Sequence, residues 1–159
     1  MKALLRISTD KAEFDLPLIH RFLSEGSTWA RGIPFPLVTK AIDNSLCFAG
    51  FLGTAQVAFA RVISDYATFA NLVDVFVLPE HRGQGYSKAI VAAVLGHPDL
   101  QGLRRFTLAT ADAHGLYSQF GFTALNKPHS FMERYFPQVY ATEPGAGPTA
   151  NGPASSGAH

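Results

Sequence analysis

Apolar residues along the chain change their period several times, and each change marks an element. Ala3 to Ser8 is a short apolar run that predicts an opening strand. From Asp15 to Leu23 the positions Leu16, Ile19, Phe22 and Leu23 recur at helical spacing, with Asp15 as cap and Pro17 tolerable in a first turn. The segment 27–36 carries Gly32, Pro34 and Pro36, which predicts an ordered loop before a second helix over about Leu37 to Asn44. Leu46 to Leu52, Gln56 to Ile63 and Thr68 to Leu78 read as strands parted by Gly53-Thr54 and Ser64-Asp65-Tyr66, an antiparallel meander.

Beyond Leu78 the period becomes helical. Tyr86, Ile90, Ala93, Val94 and Leu95 share a face that stops at Gly96-His97-Pro98. Arg105 to Thr110 predicts another strand, His114 to Phe120 a short helix closed by Gly121, and Phe122 to Leu125 a return to extended structure. Residues 1–140 therefore read as one α/β domain. Residues 141–159, rich in Gly, Pro, Ala and Ser, read as a disordered tail, because that composition offers too little apolar surface to offset ordering entropy.

Composition narrows the class. Hydrophobic residues make up 47% and charged ones 16%, enough apolar side chain for a core without disulfides. The formal charge of +1 gives no global field for nucleic acid or an anionic membrane surface, so neither is expected as a partner. Cys47, the one cysteine, lies in an apolar run and reads as a buried structural thiol. Without a signal-type leader or a spanning stretch, the expected setting is cytoplasmic.

Candidate chemistry concentrates between Val75 and Lys88. Gly83 and Gly85, one residue apart between a strand and a helix, let successive peptide N–H groups converge at the positive end of a helix dipole, a cradle for a diphosphate. Arg82 and Lys88 flank the turn as neutralising charges. A Walker A loop and a dinucleotide fingerprint both fail on spacing, and a tight turn with solvated charges is the plain alternative.

In this context Arg82-Gly83-Gln84-Gly85-Tyr86-Ser87 resembles motif A of the GNAT superfamily of N-acetyltransferases, Arg/Gln-x-x-Gly-x-Gly/Ala, with Ser87 in place of the last small residue. Ala113-His114-Gly115-Leu116-Tyr117-Ser118-Gln119-Phe120-Gly121-Phe122 is similar to the family's motif B, Ala-x-x-Leu-Tyr-x-x-x-Gly-Phe, and Thr110 stands where an Asn is common. The resemblance, covering about Ala3 to Leu125, implies a mixed, mostly antiparallel sheet with splayed fourth and fifth strands and about four flanking helices.

It further implies acetyl-CoA as co-substrate, no metal, and transfer to a primary amine of a small molecule or peptide in a ternary complex. The alternative is an acyl-CoA-binding sensor without turnover. Homodimers are common among the proteins it resembles, and no feature of the sequence fixes a contact surface. By the same carry-over, backbone of Phe76 and Val77 meets the pantetheine, with the Val77 N–H on the thioester carbonyl, and amides of Gly83, Gln84, Gly85, Tyr86 and Ser87 hold the diphosphate.

Tyr117 takes the position of a phenol near the departing sulfur. Full proton transfer from tyrosine to a thiolate is uphill by roughly 2 kcal/mol, so a hydrogen bond to the sulfur is the simpler role; ring packing is the competing reading. A lysine-like acceptor amine costs roughly 4.6 kcal/mol to deprotonate at neutral pH, which calls for a base or desolvation. Asp74, alone in an apolar strand, and His114, beside motif B, are the candidate bases, against a carboxylate held by neighbours and a surface histidine. Trp29, Arg31 and Phe35 lie in the loop that relatives use to wall the acceptor site, with core packing as the other reading for the two aromatics.

Overall fold

The computed structural model describes residues 4–141, so Ala3 and all but the first residue of the expected tail lie outside the described residues. Its chain order is β1 (Arg6–Ser8), α1 (Leu16–Arg21), α2 (Phe35–Asp43), β2 (Leu46–Leu52), β3 (Ala55–Ser64), β4 (Phe69–Val77), α3 (Tyr86–Leu95), β5 (Arg105–Leu108) and α4 (His114–Ser118). The strands form one sheet in sequence order. β1 to β4 pair antiparallel, and β5 joins β4 in parallel after the α3 crossover.

Helices cover both faces of this sheet. On one face Ile90, Val91 and Val94 of α3 pack with Val62, Ala70, Leu72, Val77 and Tyr117. On the other, Ile19, Val38 and Ile42 of α1 and α2 meet Cys47, Phe59 and Phe76. Phe59 is fully buried and receives the edge of Phe14 at 6.0 Å, so truncating it to Ala costs about 3–5 kcal/mol.

The ends of α1 show local chemistry agreeing with the fold. Asp15 accepts the Leu18 N–H at 3.1 Å, a first-turn cap, while its own N–H goes to buried Gln56 at 2.8 Å. Past Arg21 the helix widens into a π turn, Phe22–Gly26, rather than stopping at Leu23. That extra turn sets the ring of Phe22 parallel to Phe76 of β4, with centroids 4.0 Å apart.

Four further expectations shift. α2 starts at Phe35, because Pro36 has a preset φ suited to a first turn. β5 ends at Leu108 and α4 at Ser118. Phe122 to Leu125 is not a strand: it pairs with none of the described strands, although β5 ends the sheet with its outer edge free among the described residues, and Phe122 instead turns its ring onto Phe106 and Tyr117. No helix among the described residues is long and apolar enough to cross a membrane.

Candidate active site

The site begins with an irregularity in β4. Phe59 pairs with Phe76 and Arg61 with Val73, so Ala60 alone stands opposite both Asp74 and Val75. This is a β-bulge on β4, and Asp74 accommodates it at φ 56, a left-handed value that Asp tolerates better than most side chains. Asp74 is only 8% exposed. Its carboxylate is held at both oxygens: Trp29 Nε1 donates to Oδ1 at 2.8 Å and Arg61 Nε to Oδ2 at 2.8 Å. Arg61 extends the chain by donating Nη1 to Ser45 Oγ at 3.1 Å.

Past the bulge, strand polarity decides which peptides are available. Leu78 donates its N–H to Val57 O at 2.9 Å, so in the alternation of an antiparallel ladder the Phe76 peptide also faces β3. The peptides of Val75 and Val77 face the opposite edge. There β5 has departed: the β4–β5 pairing runs from Phe69–Arg105 to Leu72–Leu108 and ends, leaving Val73 to Val77 with no strand partner on that side among the described residues. Of the two backbone contacts expected from the sequence, Val77 lies on the open edge and Phe76 within the ladder, its ring in the core.

Arg82 ties the next segment to this edge, its Nε donating to the carbonyl of Val77 at 2.9 Å. Gly83 and Gly85 then adopt φ values of 76 and 82, and Gly85 is the residue from which α3 starts. The first helical bond runs from Ala89 N to Gly85 O at 3.1 Å. The amides of Gly83, Gln84, Gly85, Ser87 and Lys88 precede that ladder and find no backbone acceptor among the described residues, as the opening donors of a helix do. A Cβ built on Gly83 meets nothing within 4 Å, so the space over the turn is open. Lys88 and Arg82 are exposed beside it, while Tyr86 is buried and sends its hydroxyl toward Gln84 Oε1 at 3.4 Å.

Tyr117 is 8% exposed and packs in the same apolar cluster as Val77 and Tyr86. Burial, followed by the negative charge of Asp112, raises its pKa, so its phenol keeps its proton above the ordinary tyrosine range. Thr110 accepts the Ala113 N–H at 3.0 Å and so helps hold the start of α4, a local task for the residue standing in the usual Asn position. His114 is exposed on the first turn of α4 and shares with Tyr117 a groove of about 980 Å³ bordered by β5 and residues 120–126.

Asp74 lies elsewhere. It borders a separate cavity of about 500 Å³ on the α2 face, with Arg61, Phe59, Val38 and Tyr140. The two candidate bases thus belong to different cavities. Of the expected acceptor-wall residues, Trp29 is 51% exposed yet anchored on Asp74, whereas Phe35 packs edge-on against His20 at 5.4 Å. Arg31 is exposed in the same loop. Arg61, Ser45 and the Val75 peptide were not legible in the sequence. An arginine and an aspartate among apolar strand neighbours is the one signal that could have paired Arg61 with Asp74.

A strand edge opened by a bulge, running into an amide-lined turn with a phenol packed beside it, can hold an extended chain ending in a diphosphate. Among known proteins, the acetyltransferase (GNAT) domain profile matches residues 43–124. A candidate acetyltransferase from Gibberella zeae is 31% identical over 135 residues, 71% of this chain and 75% of that protein. The crystal structure of a candidate GNAT-family acetyltransferase from Xanthomonas campestris pv. campestris is 63% identical, with a TM-score of 0.87 over 89% of this chain and all of the other. A GNAT acetyltransferase from Elizabethkingia anophelis solved with acetyl-CoA bound shares the fold at 12% identity, with a TM-score of 0.59 over 79% of this chain and 80% of that one. Profile, sequence relative and fold agree, and the chain belongs to the GNAT family of acetyltransferases.

Proposed function

We propose that this protein is an N-acetyltransferase, passing the acetyl group of acetyl-CoA to a primary amine by direct attack in a ternary complex, with residues 1–140 as the catalytic unit. The observation that carries the reading is the combination of three features: the free β4 edge at Val75 to Val77, the amide-lined turn at Gly83 to Lys88 that Arg82 ties to that edge, and Tyr117 in the same apolar cluster as Val77. Acetyl-CoA is the co-substrate, and its binding in a relative of the same fold supports the assignment.

Each group has a role in this reading. The amides of Gly83, Gln84, Gly85, Tyr86 and Ser87 receive the diphosphate, with Arg82 and Lys88 as flanking charges. The outward N–H groups of Val75 and Val77 hold the pantetheine and polarise the thioester carbonyl as negative charge builds on its oxygen. The amine nitrogen bonds to the carbonyl carbon, the carbon–sulfur bond breaks, and the Tyr117 hydroxyl hydrogen-bonds the departing thiolate.

The amine's proton passes to a base. His114 is open to substrate, while Asp74 has to exchange a donor it already holds. Trp29 and Arg31 line the acceptor side, and Phe35 supports the same loop. The proposed setting is the cytoplasm, supported by a lone, buried Cys47.

Calorimetric titration with acetyl-CoA, coupled to thiol release across a panel of small amines, aminoglycosides and peptides, tests the proposal. Binding with release for at least one amine is expected. Tight binding with no release under any acceptor would favour an acyl-CoA sensor, and no binding at all would overturn both.

A further inference from the structure

Arg61 belongs to neither expected site, yet it touches the element on which the cofactor edge depends. Its guanidinium is largely buried, with 16% of the side chain exposed, and it grips Asp74 Oδ2 with Nε and Ser45 Oγ with Nη1. Asp74 is the left-handed residue of the bulge, and its other oxygen carries the indole of Trp29. The next residue, Val75, presents the first peptide on the open edge of β4. One guanidinium is therefore two contacts from an acceptor-loop side chain and one residue from the cofactor-facing backbone.

The geometry points to Arg61 as a positioning residue for acetyl transfer, which acts through Asp74 to set both the Val75–Val77 edge and the placement of Trp29. The inference rests on the acetyltransferase reading above. A buried carboxylate at a strained φ needs compensating donors to keep its place, and Arg61 and Trp29 are the two it has among the described residues. Nε fixes the carboxylate plane, while the Ser45 contact holds the guanidinium from behind. Lysine cannot reproduce this fork, because its ammonium lacks the fixed spread of donors that reaches two acceptors at set angles.

Trp29 is the chain's single tryptophan, so its emission reports directly on this arrangement. The test compares the full chain with Arg61→Met and Arg61→Lys, reading Trp29 emission, acetyl-CoA affinity by calorimetry and thiol release with the best amine of the panel. Loss of the fork is expected to shift Trp29 emission and to weaken acetyl-CoA by about tenfold, the scale of one coupling contact, with Arg61→Lys between the two. In a cycle with Trp29→Phe, the loss of thiol release should be less than multiplicative.

A folded Arg61→Met protein with unchanged emission and unchanged affinity would overturn the inference. If Arg61→Met fails to fold, Arg61→Lys decides alone, and the same null result there has the same force. Failure of the unsubstituted protein to bind acetyl-CoA is a different outcome, since it removes the acetyltransferase reading itself.

Discussion

The side chain of Arg82 reaches back from the glycine turn to the last residue of β4, its Nε donating to the Val77 carbonyl at 2.9 Å. The same residue thus offers charge to an anion and fixes the loop against the strand edge. Arg82→Met should weaken acetyl-CoA binding by more than tenfold, since a charge-assisted contact is worth roughly 1.5–3 kcal/mol and the loop loses its tether as well. Lys88→Met, which removes charge alone, should cost less. Calorimetry on both variants at two salt concentrations separates the contributions.

Gly85 combines a left-handed φ of 82 with the cap position from which α3 starts, amid the amides that line the turn. Gly85→Val places a β-branched side chain where it is both strained and in the path of a diphosphate, at a backbone cost of roughly 1–2 kcal/mol. Acetyl-CoA binding should be lost while the far-ultraviolet circular dichroism remains. Normal affinity in that variant would remove the turn from the site.

Tyr117→Phe keeps the ring against Phe122 and in the apolar cluster it shares with Val77 while deleting the hydroxyl. Turnover should fall more than acetyl-CoA affinity. Folding raises this phenol's pKa from an ordinary value of 10.0, so its contribution to stability is complete below about pH 10 and declines as the pH climbs further. Denaturation curves across the alkaline range should therefore be flatter for Tyr117→Phe than for the parent.

Asp74→Asn is the cleanest probe of the bulge, because Asn also tolerates a left-handed φ and only the charge and one acceptor are lost. Leaving Arg61 buried without its carboxylate should cost about 3–5 kcal/mol in urea unfolding. The pH–rate profile then decides the chemical question. A profile with unchanged limbs, even at lower amplitude, assigns the base to another group such as His114.

Cys47 is fully buried, and burial pushes its thiol up to about 12. It should resist alkylation in the native protein at neutral pH and react fully once unfolded, as read by mass spectrometry. Rapid native labelling would mean that the α2 face opens.

Local rules made much of this protein readable from its residues alone. Left-handed turns at Gly83 and Gly85 follow from the absence of a Cβ, α3 from the helical spacing that begins at Tyr86, and the left-handed turn after α4 from Gly121. What escaped was set between distant positions. Asp74 gains its partners from residues 13 and 45 positions away, a pairing that period and propensity do not encode. The bulge exists only in the register against β3, and that register turned the Phe76 peptide inward and the Val75 peptide out. Phe122 to Leu125 has the composition of a strand, yet it leaves the outer edge of β5 unpaired, and the ring contacts of Phe122 with Phe106 and Tyr117 that take the place of pairing exist only in the folded chain.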